Sequence, residues 1–100
     1  MNNTDYTRVA VVSGGTGYLG SAIARALAEQ GMSVALLYNA TLPEEVQATL
    51  ASLHGNSHNA YRCDVSNGEE IQKTIELIEK EMGEVFACVH SAGARLQRKT

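Results

Sequence analysis

The chain has 100 residues, 44% of them hydrophobic, and a formal net charge of −3. That length supports one small domain, and that charge gives no reason to expect nucleic acid or an anionic membrane as partner. The longest apolar stretch, Val9 to Ala28, is broken by four glycines, Ser13, Thr16, Ser21 and Arg25, which excludes a membrane span. The polar start, Met1 to Thr7, lacks the charged-then-apolar design of a secretion signal, so the expected address is the cytoplasm.

The elements alternate in chain order. Val9–Ser13 is a short apolar, β-branched strand. It runs into Gly14, Gly17 and Gly20 at a spacing of three, and an amphipathic helix follows over Tyr18–Gln30. Leu19, Ile23 and Leu27 form the apolar stripe of that helix, and Gly31 is its stop. Ser33–Tyr38 is the second strand. A second helix spans about Leu42–Leu53, with Thr41 as cap and Glu44 completing a capping box. Tyr61–Asp64 belongs to the third strand. Ser66 and Glu69 form another capping box, opening a third helix that runs to Met82 on a stripe of Ile71, Ile75, Ile78 and Met82. Gly83 ends it, and Val85–His90 is the fourth strand.

The strands are nearly continuous apolar runs, so the fold class is α/β with a parallel sheet covered on both faces. Right-handed crossovers put helices one and two on one face. With strand four beside strand one, helix three crosses to the other face and the strand order is 3-2-1-4, an incomplete doubly wound Rossmann-type sheet. Its switch point lies between strands one and four, where Gly14–Gly20 and Ser91–Gly93 meet at the carboxyl edge. Strand four is left at the sheet edge, and exposed apolar surface is expected near strands one and four.

Strand, glycine turn and helix in this order suit a dinucleotide phosphate. Gly14 turns the chain out of the strand, Gly17 lets the backbone approach the pyrophosphate, and Gly20 lets the helix pack close. The helix N-terminus faces the phosphates and Thr16 offers them a hydroxyl. A turn that merely joins strand to helix is the plainer alternative. At the end of strand two an NAD site places an acid, and an NADP site tends to offer Arg. Tyr38-Asn39-Ala40-Thr41 provides neither, but nothing there repels a 2′-phosphate and Asn39 and Thr41 can donate to it. NADP(H) is therefore favoured over NAD(H). Asp64 either accepts from an adenine amino group or caps helix three. Cys63 and Cys88 read as buried reduced thiols on strands, since they form no Cys-x-x-Cys pair. His54, His58 and His90 share no metal-ligand spacing with them, so no metal site is expected.

With the glycine loop, Asp64-Val65 and His90-Ser91-Ala92-Gly93 in order, the chain resembles the short-chain dehydrogenase/reductase superfamily from Arg8 to Gly93. That resemblance implies NAD(P)-dependent oxidation and reduction of alcohols and carbonyls. It places loop contacts on Gly14, Thr16, Gly17 and Leu19, with Tyr18 and Gly20 in the same run. It places Asn39 at the adenosine ribose or its phosphate, Asp64 and Val65 at adenine, and Ser91, Ala92 and Gly93 at the nicotinamide-side ribose. Tyr18 stands where compact members of the family have glycine, a spacing more similar to the extended members or to polyketide-type ketoreductase domains, and His-x-Ala-Gly is similar to the latter. His90 is read as ending its strand with a local hydrogen bond rather than as catalytic.

The family's chemistry uses a Tyr-x-x-x-Lys pair and an upstream Ser, with the Tyr as proton donor. Here Ala10, Ala22, Leu42 and Val65 stand four residues after Tyr6, Tyr18, Tyr38 and Tyr61. The expectation is a cofactor-binding half-domain over residues 1–100, the amino-terminal part of a longer oxidoreductase and inactive alone. The alternatives are a non-catalytic dinucleotide-binding module and an inactive truncated fragment. Expected partners are the dinucleotide, a carbonyl or alcohol substrate, and either a second copy of the chain or a complementary C-terminal segment.

Overall fold

The computed structural model describes residues 8–14, 16–55 and 57–91. These form β1 (Arg8–Ser13), α1 (Tyr18–Glu29), β2 (Ser33–Tyr38), α2 (Pro43–Ala51), β3 (Asn59–Arg62), α3 (Gly68–Glu81) and β4 (Glu84–His90). The sheet order is β3-β2-β1-β4, with every pairing parallel. Two successive crossovers carry the chain from β1 outward to β3. The third returns it past β2 and β1 to β4, and right-handedness then forces α3 onto the opposite face.

The core follows from this layout. On one face Val12, Val34 and Leu36 pack with Ala24 and Ala28 of α1 and with Leu53. On the other Val9, Val11, Ala35, Leu37 and Tyr61 pack with Ile78 of α3, and Ile71, Ile75 and Met82 flank it. Each wholly buried aliphatic such as Leu36 or Ile78 is worth about 1.5–3 kcal/mol of burial. The central strands β1 and β2 are buried along nearly their whole length, whereas β4, at the edge, alternates between exposed and half-buried.

Several local expectations are corrected. In α1 the buried positions are Gly20, Ala24 and Ala28, and Leu19 is exposed. The contact stripe is made of small residues four apart, so the helix axis lies close to the sheet and the larger Ile23 and Leu27 are only half-buried at its sides. α2 begins at Pro43, with Leu42 as its N-cap and no side-chain cap. Proline at the first helical position supplies a preset φ and lacks one of the unpaired N–H groups. Thr41 is thereby released for another partner. α3 is capped by Asn67, whose Oδ1 accepts the Glu70 N–H at 3.1 Å, because Ser66 is turned toward Asp64. β3 covers Asn59–Arg62 rather than Tyr61–Asp64, although the Cys63 N–H still donates to the Tyr38 carbonyl at 2.8 Å. Cys63 is buried but Cys88 is exposed, since β4 has no strand on its outer side among the described residues. β4 also carries an irregularity near Phe86, where the register with β1 shifts between Val9 and Ala10. Phe86 is exposed and lies 4.8 Å beneath the Arg8 guanidinium.

Two stability predictions arise here. Asn67→Ala should cost about 1 kcal/mol, the usual value of a lost cap, while Ser66→Ala should cost less. Urea midpoints of the two variants check the order, and the reverse order would put the cap back at Ser66. The second concerns pH. Burial, and then the hydrogen bond donated to Glu81 Oε1 at 2.8 Å, raises the Tyr61 phenol above its ordinary value of 10.0. The folded state therefore favours the protonated phenol. Its contribution is full below pH 10.0 and is lost as pH rises through the folded-state value. Urea midpoints should fall above that pH more steeply in the native protein than in Tyr61→Phe, and equal slopes would contradict the assignment.

Candidate functional site

The parallel registers bring the carboxyl ends of the strands to one level: Ser13 lies opposite both Leu37 and His90, and Tyr38 opposite Arg62. From Ser13 the chain turns sharply at Gly14, whose φ of 70° is left-handed and favours glycine. The Gly14 N–H donates to the Leu37 carbonyl at 3.1 Å, and its carbonyl accepts from the Gly17 N–H at 3.1 Å. Gly17 is the N-cap of α1. The first intrahelical bond runs from the Ser21 N–H to the Gly17 carbonyl at 2.8 Å. The N–H groups of residues 18–20 precede that bond. Among the described residues no side chain caps them and the first turn holds no acid, so the positive end of the helix is uncompensated there.

The glycines at 17 and 20 differ in what the fold asks of them. A Cβ on Gly20 would stand 1.9 Å from the Gly14 carbonyl oxygen and 2.8 Å from Ser91 Oγ, so the fold requires glycine there. Gly17 has φ −79° and ψ 176°, extended backbone open to any residue. A Cβ on it would meet only the Gly14 carbonyl oxygen, at 3.5 Å. The packing of the described residues thus leaves the missing side chain of Gly17 unexplained, whereas a group seated against the helix end would need that space.

A cleft of about 140 Å³ lies beside this loop, lined by Gly14, Thr16, Asn39, Thr41, Asp64 and Val65 among others. The hydroxyls of Thr16 and Thr41 meet at 2.7 Å and tie the glycine loop to the segment after β2. Asp64 Oδ1 accepts from the Ser66 N–H at 3.0 Å and from Ser66 Oγ at 2.7 Å. These bonds, the side-chain one first, hold its carboxyl below the usual carboxylate range. Asp64 thus shapes the turn into α3, and the Arg62 charge lowers its pKa further. Its own N–H donates to Glu70 Oε1 at 2.8 Å.

Ser91 Oγ donates to the Ser13 carbonyl at 2.7 Å, which locks the residue after β4 against the root of the glycine loop. His90 ends β4, and its Nδ1 lies 2.6 Å from Ser13 Oγ, a bond across to the neighbouring strand and not a local one. Gly14, Thr16, Asn39, Asp64 and Val65 are therefore brought together in one cleft, and Gly17, Gly20 and Ser91 adjoin it. Tyr18, at the first position of α1, is 92% exposed, and Leu19 is also exposed. Neither lines the cleft. Ala92 and Gly93 lie outside the described residues.

Sequence reasoning missed Arg62. Its Nε donates to the Asn39 carbonyl at 3.1 Å, which brings a guanidinium to the end of β2 from the neighbouring strand. The signal was available in the parallel pairing, which sets the last residue of β3 opposite Tyr38. Among the described residues no three His, Cys, Asp or Glu side chains are grouped to hold a metal. Nor, among the described residues, is any helix long and apolar enough to cross a membrane.

The donor set fits a dinucleotide: uncapped helix N–H groups and open space at Gly17 for a pyrophosphate, hydroxyl and amide groups after β2 for a ribose, and Asp64 for an amino group. Comparison with known proteins agrees with this fold and motif order. Residues 17–100 match the family model described as Enoyl-(Acyl carrier protein) reductase. The chain is 34% identical over 86 residues to a probable NADP-dependent mannitol dehydrogenase of Yarrowia lipolytica, covering 86% of this chain and 31% of the relative. It is 41% identical over 87 residues to carbonyl reductase family member 4 of Danio rerio, covering 87% of this chain and 36% of the relative. Among solved structures, NADPH-dependent 3-quinuclidinone reductase from Rhodotorula rubra superposes with a TM-score of 0.69 at 31% identity, over 82% of this chain and 31% of that one. Actinorhodin polyketide ketoreductase with NADPH superposes with a TM-score of 0.73 at 28% identity, over 90% of this chain and 34% of that one. The chain thus spans about a third of the length of the relatives it matches. The family model, the identities and the shared sheet agree: this chain belongs to the short-chain dehydrogenase/reductase superfamily.

Proposed function

We propose that residues 1–100 form the dinucleotide-binding half-domain of an NAD(P)-dependent oxidoreductase that interconverts carbonyls and alcohols, with NADP(H) preferred. The observation that carries the reading is Gly17. The fold leaves room for a Cβ there, yet the position is glycine and abuts uncapped helix N–H groups. The NADP dependence printed for the mannitol dehydrogenase and the quinuclidinone reductase supports the cofactor preference. In this reading the bound cofactor supplies or accepts the hydride. The chain's own residues bind and orient it. The N–H groups of residues 18–20 hold the pyrophosphate over Gly17, with Thr16 beside it. Asn39 and Thr41 face the adenosine ribose, and Asp64 and Val65 face adenine. Ser91, fixed by Ser13, begins the nicotinamide side together with Ala92 and Gly93. No Tyr-x-x-x-Lys occurs within residues 1–100, so in this reading proton transfer to the substrate falls to groups outside this segment.

The test is to follow NADPH consumption by the full natural protein with a panel of sugar ketones, 3-oxoacyl thioesters and simple ketones. Turnover with any of them supports the oxidoreductase reading. Tight NADPH binding without turnover on any would favour a non-catalytic dinucleotide-binding module.

A further inference from the structure

The carboxyl edge of this sheet carries a cation that the sequence order hides. Arg62 closes β3, and its Nε donates to the Asn39 carbonyl at 3.1 Å. Asn39 lines the cleft together with Thr16, Thr41 and Asp64. The Nε bond uses one of the five N–H donors of the guanidinium and fixes its plane. Among the described residues, nothing accepts from the two terminal NH2 groups. Two carboxylates share this edge: Glu70 is turned to the β3–α3 turn, and Asp64, held there through Oδ1, also feels the charge of Arg62 without accepting a hydrogen bond from it. Asp64 holds Ser66, and Glu70 holds the Asp64 N–H. Arg62 is therefore anchored at one end and has a fork of donors to spare at the other, beside the segment where a ribose 2′ position would lie.

We infer that Arg62 is the residue that selects a 2′-phosphorylated dinucleotide, its terminal NH2 groups pairing with the phosphate while Nε stays on Asn39. This rests on the dinucleotide reading above and extends it, because the segment after β2 contains no cation of its own: Tyr38, Asn39, Ala40 and Thr41 are all uncharged. A planar guanidinium suits a phosphate bidentately, and an anchored one loses little freedom on pairing. A purely structural role, stitching β3 to the segment after β2, would need only the Nε donor.

Two substitutions separate these roles. Arg62→Gln keeps an N–H donor for the Asn39 carbonyl and removes the charge; Arg62→Lys keeps the charge and loses the fork. NADPH and NADH affinities are measured by nicotinamide fluorescence on the full natural protein and both variants. The native protein should bind NADPH more tightly than NADH. Arg62→Gln should lower NADPH affinity about 10–100-fold, the worth of a charge-assisted pair, and leave NADH affinity within about twofold. Arg62→Lys should keep part of the preference, and added salt should shrink it in the native protein but not in Arg62→Gln. An unchanged NADPH-to-NADH ratio in Arg62→Gln overturns the inference while leaving the dinucleotide reading intact, as does a parallel loss of both nucleotides. Native protein that binds neither nucleotide overturns both.

Discussion

Gly20→Ala should lower the unfolding free energy by about 2–4 kcal/mol, although alanine is the better helix former. Propensity alone would favour the substitution by about 1 kcal/mol. The clash wins because the new Cβ would stand 1.9 Å from the Gly14 carbonyl oxygen and 2.7 Å from its carbon, both backbone atoms that no rotamer change can move. Relief requires α1 to back away from the turn after β1, and Ser91, whose Oγ would lie 2.8 Å from the same Cβ, would have to shift as well. At about 4–8 °C per kcal/mol for a domain of this size, the melting temperature should drop by about 8 °C or more. Gly68→Ala is the control. It lies at the start of α3 with nothing within 4 Å of an added Cβ, and should be neutral or slightly stabilising. Equal melting temperatures for Gly20→Ala and the native protein would mean that α1 is not seated on the turn as described.

Gly17→Val should do the opposite: leave the fold and abolish the ligand. Its extended backbone suits a β-branched residue, and only the Gly14 carbonyl oxygen approaches the added Cβ, at an ordinary contact distance of 3.5 Å. The melting temperature should stay within a few degrees. Affinity for NADPH and for NADH should fall together by more than about 100-fold, because the side chain fills the space reserved for the pyrophosphate. Normal binding by Gly17→Val would show that the phosphates do not lie on this helix end. On the proposed reading Gly17 is the binding glycine and Gly20 the packing glycine of one motif, with opposite signatures in stability and affinity.

Much of this was legible in the sequence because the strongest signals are local and periodic. The apolar runs at Val9–Ser13 and Ser33–Tyr38 read directly as buried parallel strands, and the Ile71, Ile75, Ile78 stripe as the inner face of α3. With strand four set beside strand one the order is 3-2-1-4, as observed, and crossover handedness puts α3 on the opposite face. Three things were less legible. The inner face of α1 was misplaced because hydrophobicity points to Leu19, whereas close packing selects Gly20, Ala24 and Ala28. Both capping boxes failed because their hydroxyls had better partners: Thr41 pairs with Thr16 at 2.7 Å and Ser66 with Asp64 at 2.7 Å, contacts set by tertiary position or by the next turn. Arg62 was overlooked because it lies 23 residues beyond Asn39 in the chain and reaches it only through the β2–β3 register.

The most direct test of the central claim is an amide-resolved NMR titration of the protein with NADPH. The N–H groups of Gly14, Gly17 and residues 18–20 should shift most, followed by those of Asn39 and Asp64, with His58 and Ser33 at the opposite edge of the sheet unmoved. Shifts confined to that opposite edge, or none at the glycine loop at saturating NADPH, would contradict the account.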